Sequence, residues 1–275
     1  MTITAGVLCS DGLIVCADSE IDVGDAKRER QKVYGHEDWL LVTGAGWFDY
    51  LEMAFDKLCE RLRSQKPDDC FSARKIVEQV ISSVYEKNIA RYFSVSDPNA
   101  PNFEMIVAVR CADGELALIK SQYTSVIRCK ANPVAVGTGA PLFEYWGRYF
   151  FSKPVPMDVA SYVSLFILRE VKQSAVGCGG AIEVYRLPKD TSRHISFKTF
   201  FSEAHLMARF PESAVEIILE CMQGKDPMKS LGYWGQQLEH LAQEFRNEAF
   251  KEEGATRVTQ ELSKLREKEG TDNPS

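Results

Sequence analysis

Thr2-Ile3-Thr4-Ala5-Gly6-Val7-Leu8 starts almost at the initiator methionine, and its β-branched and apolar side chains read as a β-strand. A second apolar run, Leu13 to Ala17, follows across Asp11-Gly12, a dipeptide suited to the tight turn of a hairpin. The chain therefore opens with a β-hairpin. Beyond it come Asp18-Ser19, a polar stretch through Arg30, Lys32-Val33-Tyr34 and a second turn at Gly35 to Asp38. The strand Trp39 to Thr43 then leads through Gly44-Ala45-Gly46 to a helical pattern from about Trp47.

Further along, apolar residues recur at helical spacing in two segments. One holds Trp47, Leu51, Phe55, Leu58 and Leu62, the other Ile76, Val80, Val84 and Ile89. Pro67-Asp68-Asp69 separates these two helices, and the Pro- and Asn-containing run from Asp97 to Asn102 ends the second. The pattern then changes to strands at Met105 to Cys111, Leu116 to Ile119, Ser125 to Cys129 and Val134 to Val136. Helical spacing returns over about 140–151 and 157–173, and strand character over Ala181 to Leu187 and about 194–199. Strands, helix pair, strands, helix pair, strands is an order that permits two antiparallel sheets with helices on each outer face, although several α+β arrangements satisfy it equally.

With 275 residues, 45% of them hydrophobic, the chain can bury a large core. No apolar run approaches the roughly 20 residues of a membrane-spanning helix, and no basic segment precedes a short apolar one as in a signal peptide. A cytoplasmic location is the expectation. The net charge of −6 gives no broad attraction for nucleic acid or anionic membranes, so neither is expected as a partner. Eight cysteines are scattered without a C-x-x-C pair, and the four histidines lack metal-ligand spacing. Reduced thiols, with no metal and no cofactor, are expected.

The run Thr2-Ile3-Thr4-Ala5-Gly6-Val7, then Asp11-Gly12, Ala17-Asp18-Ser19, Lys32-Val33 and Gly44-Ala45-Gly46 ahead of a helix, resembles the start of a proteasome β-type subunit. Gly137-Thr138-Gly139 and Gly177-Cys178-Gly179-Gly180 extend the resemblance over roughly residues 2–200, and the Ser174-Ala175-Val176-Gly177 run resembles the bacterial proteasome-related members, such as the Anbu type or the ATPase-dependent bacterial peptidase. The resemblance implies an N-terminal-nucleophile hydrolase with a four-layer αββα sandwich.

Removal of Met1, which a side chain as small as threonine permits, would leave Thr2 with a free α-amine beside its hydroxyl. An amine with a pKa of roughly 7.7 to 8 can take the hydroxyl proton near neutral pH. The resemblance implies Thr2 as the nucleophile, Asp18 as the acid that holds the site lysine, and Lys32 as that lysine, whose ammonium would favour the ionised hydroxyl. The loop from Asp18 to Lys32 is about two residues shorter than usual. Lys27, Arg28 and Arg30 are alternatives, but Lys32 alone stands directly before the next strand. Gly46 corresponds to the family's oxyanion amide, with Gly44 as the other register. Thr138 stands where the family has a serine near the terminal amine. The family's later aspartate and serine correspond to about Ala175 and to Cys178, so an acid is missing and a thiol replaces a hydroxyl.

From about Glu203 the composition changes. Residues 1–202 are expected to form the hydrolase domain, 203–268 a C-terminal helical extension rich in charge, and 269–275 a disordered tail. The leading functional expectation is a threonine-type peptidase subunit that assembles with copies of itself, as a ring or an open array, and acts on unfolded peptide, with an ATPase as a candidate partner. An amidohydrolase for a small-molecule amide and a catalytically silent structural subunit are the alternatives. Exposure of Thr2 without an extension or propeptide favours the β-like role over the silent one.

Overall fold

The computed structural model describes residues 2–200 except 24, 25, 65, 95, 96, 98, 131 and 132. The expected helical extension and tail lie outside the described residues.

The opening hairpin is β1 (Ile3–Leu8) and β2 (Gly12–Asp18), paired antiparallel from Thr4 opposite Ala17 to Leu8 opposite Leu13. The Cys9 N–H donates to the Gly12 carbonyl at 2.9 Å and closes the turn. The Asp11 carboxylate, at its tip, accepts the Met157 N–H at 2.8 Å and so caps a later helix.

Between Asp18 and Lys32 the polar stretch forms a two-stranded ribbon, β3 (Glu20–Val23) and β4 (Ala26–Glu29). All four residues of β4 are exposed. With neither of its faces buried, β4 carries no apolar alternation, and the alternation of Glu20-Ile21-Asp22-Val23 in β3 spans only four residues.

Next come β5 (Val33–His36) and β6 (Leu40–Gly46), then α1 (Phe48–Ser64) and α2 (Cys70–Val84). The first helix begins one residue later than its apolar spacing predicts. Trp47 is 55% exposed, and its N–H donates to the Asn102 carbonyl at 2.9 Å, continuing the strand pairing. Asp69 caps α2 by accepting the Ser72 N–H at 2.7 Å, while the Ser72 hydroxyl accepts the Asp69 N–H at 3.1 Å.

The helical run does not continue as one α-helix to Ile89. It ends in a π-helical turn, Tyr85–Ile89, closed by an Ala90 N–H bond to the Tyr85 carbonyl at 2.8 Å. The Tyr85 ring stacks on Phe103 at 4.9 Å, and its hydroxyl donates to the Phe103 carbonyl at 3.1 Å, so the aromatic body is buried and its polar tip satisfied.

The remaining elements are β7 (Phe103–Arg110), β8 (Leu116–Gln122), β9 (Ser125–Arg128), β10 (Val134–Gly137), α3 (Ala140–Phe150), α4 (Met157–Ser174), β11 (Ile182–Pro188) and β12 (Ser196–Phe200). One five-stranded sheet has the order β10-β1-β2-β11-β12 and the other β5-β6-β7-β8-β9, with every pairing antiparallel. This is an α+β chain with four α-helices among the described residues.

The period of two along each strand sends alternate side chains to different cores. Leu13, Val15 and Ala17 of β2 cluster with Leu41 of β6 and Ile106 of β7, between the sheets. Ile14 and Cys16 point the other way, onto Phe143 of α3 and Leu165 and Leu168 of α4. Leu40 and Val42 of β6, with Met105 and Val107 of β7, pack on Leu58 of α1 and Ile81 of α2. The N-terminal end of β1 and the C-terminal end of β2 open beside the start of β5, and there the polar residues collect.

Candidate active site

Asp18 ends β2, and its side chain is fully buried. A buried carboxylate must be hydrogen-bonded or paired. Asp18 is both. Its Oδ1 accepts the Thr2 hydroxyl at 2.5 Å, the Ile3 N–H at 3.1 Å and the Lys32 ammonium at 2.7 Å. Its Oδ2 accepts the Gly179 N–H at 2.9 Å, a contact arranged by the β2–β11 register, which sets Asp18 opposite Ile182. Beside it Gly180 has φ +70°, and a Cβ there would lie 2.4 Å from the Ser19 hydroxyl. The glycine-rich turn thus lets backbone close over the carboxylate.

Lys32 lies directly before β5 with its side chain 4% exposed. Its ammonium donates to the Thr2 hydroxyl oxygen, to Asp18 Oδ1 and to the Glu20 carbonyl. All three donors of the group are used. Burial pulls the Lys32 pKa below its usual value, and the negative charge and hydrogen bond of Asp18 only partly oppose that shift. Thr2 is itself buried, and its oxygen sits between an anion that accepts its proton and a cation that donates to its lone pair. A hydroxyl so held is oriented and close to a positive charge that would favour its deprotonated form.

The other basic candidates stand elsewhere. Lys27 pairs with Glu20 at 2.7 Å on the exposed ribbon, to which Arg28 also belongs. Arg30 lies over the Phe48 ring at 3.5 Å and pairs with Glu52 at 2.6 Å. Of these four basic residues, Lys32 is the one whose ammonium reaches Thr2.

Thr2, Lys32, Gly46 and Thr138 border one cleft of about 950 Å³, with Asp18 behind Thr2. Gly46 ends β6, two residues before α1 begins, and has φ +108°. A Cβ there would be 2.4 Å from the Asn102 carbonyl oxygen, so both conformation and space require glycine. Gly44 lies inside the β6–β7 ladder opposite Met105 and also borders the cleft. Thr138 is exposed at the turn between β10 and α3, where the Gly139 N–H donates to the Thr2 carbonyl at 3.3 Å.

Ala175 caps the C-terminus of α4 and supplies no acid. Cys178 is buried next to Gly139, and burial together with the nearby Asp18 charge pushes its thiol up to about 11. It is a protonated, apolar-packed thiol at neutral pH. One residue escaped the sequence reading altogether. Glu183 of β11 is 6% exposed, and its Oε2 accepts the Lys32 N–H at 3.2 Å. Its signal in the sequence is a carboxylate inside the apolar run Ala181 to Leu187. Among the described residues no group of three or more His, Cys, Asp or Glu side chains is arranged to hold a metal, and no helix is long and apolar enough to cross a membrane.

No protein-family model and no curated protein matches the sequence. Solved structures do match the fold. Against the helical assembly of the Anbu complex from Pseudomonas aeruginosa the TM-score is 0.63 at 16% identity, covering 79% of this chain and 95% of that one. Against an Anbu (Gly-1) mutant from Hyphomicrobium sp. strain MC1 it is 0.62 at 12% identity, covering 82% and 99%. Against Anbu (ancestral beta-subunit) from Yersinia bercovieri it is 0.59 at 15% identity, covering 87% and 95%. These structural neighbours are thus Anbu proteins, a group that the Ser174-Ala175-Val176-Gly177 run resembles.

Proposed function

We propose that the chain is a threonine-type peptidase subunit of a proteasome-like assembly, with Thr2 as nucleophile. The observation that carries this reading is the Thr2 hydroxyl oxygen held between Asp18 and Lys32 at the wall of an open cleft. With Met1 removed, the α-amine of Thr2 takes the hydroxyl proton as the oxygen attacks a peptide carbonyl. The Lys32 ammonium favours the developing alkoxide, and Asp18 keeps that ammonium in place. The Gly46 N–H, near the N-terminus of α1, faces the oxyanion. The leaving amine takes the proton, and water then hydrolyses the acyl-enzyme. Thr138 supplies a hydroxyl near the terminal amine.

In this reading residues 1–202 form the hydrolase domain as an αββα four-layer sandwich, which the three separate cores support. The helical assembly of the Pseudomonas aeruginosa neighbour supports association with further copies of this chain. Unfolded peptide in the cytoplasm is the substrate in this reading, with an ATPase as a candidate partner.

Ala175, where the family has an acid, favours a second reading in which the subunit is silent. One experiment separates the two. Intact-mass analysis first establishes that Met1 is absent; retained Met1 leaves Thr2 without a free amine and refutes the catalytic reading. Incubation with a peptide epoxyketone or a β-lactone should then give one adduct on Thr2 that disappears in Thr2→Ala. No adduct on a processed wild-type chain supports the silent reading, and an adduct that persists in the variant refutes Thr2 as the nucleophile.

A further inference from the structure

Lys32 belongs to the segment that opens the second sheet, whereas Thr2 and Asp18 belong to the first. Its ammonium must therefore reach across from one sheet to the other, at the end of a stem with four rotatable bonds. What fixes the start of that stem is the Lys32 peptide backbone, and both of its polar groups are held by side chains. The N–H donates to Glu183 Oε2 at 3.2 Å from β11 of the first sheet. The carbonyl accepts the Thr43 hydroxyl at 2.9 Å from β6 of the second.

Glu183 is costly to bury, and burial raises its pKa above the usual carboxylate value, while the N–H groups of Lys32 and Val33 pull the other way. Two residues along the same face, Tyr185 accepts the Gln31 side-chain amide at 2.9 Å, and that amide also donates to the Val33 carbonyl at 2.7 Å. The 31–33 segment is thus tied from β11 twice. Only the Glu183 tie bears on the residue that carries the ammonium.

We propose that Glu183 is a positioning residue: through its hydrogen bond to the Lys32 N–H across the two sheets, it sets the Lys32 ammonium against Thr2 and Asp18. This inference rests on the reading of Thr2 as a nucleophile assisted by Lys32. It assigns Glu183 no contact with substrate. A glutamine at this position keeps a side-chain oxygen for the Lys32 N–H but no charge, whereas an alanine or a methionine keeps neither. A displacement of the order of 1 Å at reacting groups can slow a reaction by up to about 100-fold.

The test uses the full chain and its reaction with a peptide epoxyketone. Glu183→Ala should lower the maximal rate of adduct formation on Thr2 by roughly 10- to 100-fold, leaving the inhibitor concentration for half-maximal rate near that of wild type. Glu183→Gln should restore the rate. Glu183→Met, closer in volume, replaces the alanine variant if that chain does not fold. A full rate in Glu183→Ala, or equal loss in Glu183→Ala and Glu183→Gln, overturns the proposal.

Crystal structures of the same variants give an outcome that does not require reaction. The Lys32 ammonium should leave hydrogen-bond distance of Thr2 in Glu183→Ala and keep it in Glu183→Gln. An undisplaced ammonium in Glu183→Ala overturns the positioning role even if the wild type proves unreactive, an outcome that would refute only the nucleophile reading.

Discussion

The Asp18 carboxylate and the Lys32 ammonium form an ion pair at 2.7 Å whose side chains are fully buried and 4% exposed, respectively. Removing one member of such a pair leaves the other buried without its counter-charge, typically at a cost of about 3–5 kcal/mol. Asp18→Asn should lose about that much in urea unfolding, and it should also abolish the Thr2 adduct. Adding Lys32→Met to Asp18→Asn removes the stranded cation and should recover part of the lost stability. A double variant no more stable than Asp18→Asn alone would show that the pair is not the source of the loss.

Burial depresses the pKa of Lys32 in the folded chain below its ordinary value of 10.5. Between those two values the unfolded chain binds more protons than the native one, so stability rises with pH. Its contribution is therefore fully present above about pH 10.5 and is lost as pH falls through the depressed native value. Relative to Lys32→Met, the wild type should gain stability as pH rises through this window, read as the difference between their urea midpoints at successive pH values. A difference that stays constant, or shrinks with rising pH, contradicts the burial effect.

Gly46 combines φ +108° with backbone crowding: a Cβ would lie 2.4 Å from the Asn102 oxygen and 2.7 Å from the Phe103 Cα. Strain of this kind costs on the order of 1–3 kcal/mol. Gly46→Ala should be destabilised by about that amount and should form the Thr2 adduct more slowly, because the amide proposed to face the oxyanion turns with the backbone. A variant with wild-type stability and rate would remove Gly46 from the site.

The hairpin was legible because two apolar runs flank Asp11-Gly12, and the helix pairs because their inner faces repeat at helical spacing. The β3–β4 ribbon was not legible, since exposed Ala26, Lys27, Arg28 and Glu29 carry no signal of burial. Thr2, Asp18 and Lys32 are 16 and 14 positions apart in sequence, and it is strand register that brings them together. The resemblance pointed to them where spacing alone had no means of doing so. Glu183 escaped because its partner is a backbone N–H, which any residue but proline offers, so nothing at position 32 announces the contact.

Asp18 Oδ2 holds the Gly179 N–H while Oδ1 holds the Thr2 hydroxyl, so the same carboxylate braces a turn on one side and meets the proposed nucleophile on the other. An inert copy meant to trap a captured peptide should therefore be made by trimming the hydroxyl of residue 2. Blunting the acid would loosen the entry to β11 together with the chemistry, and the empty-handed protein that resulted would say little about either.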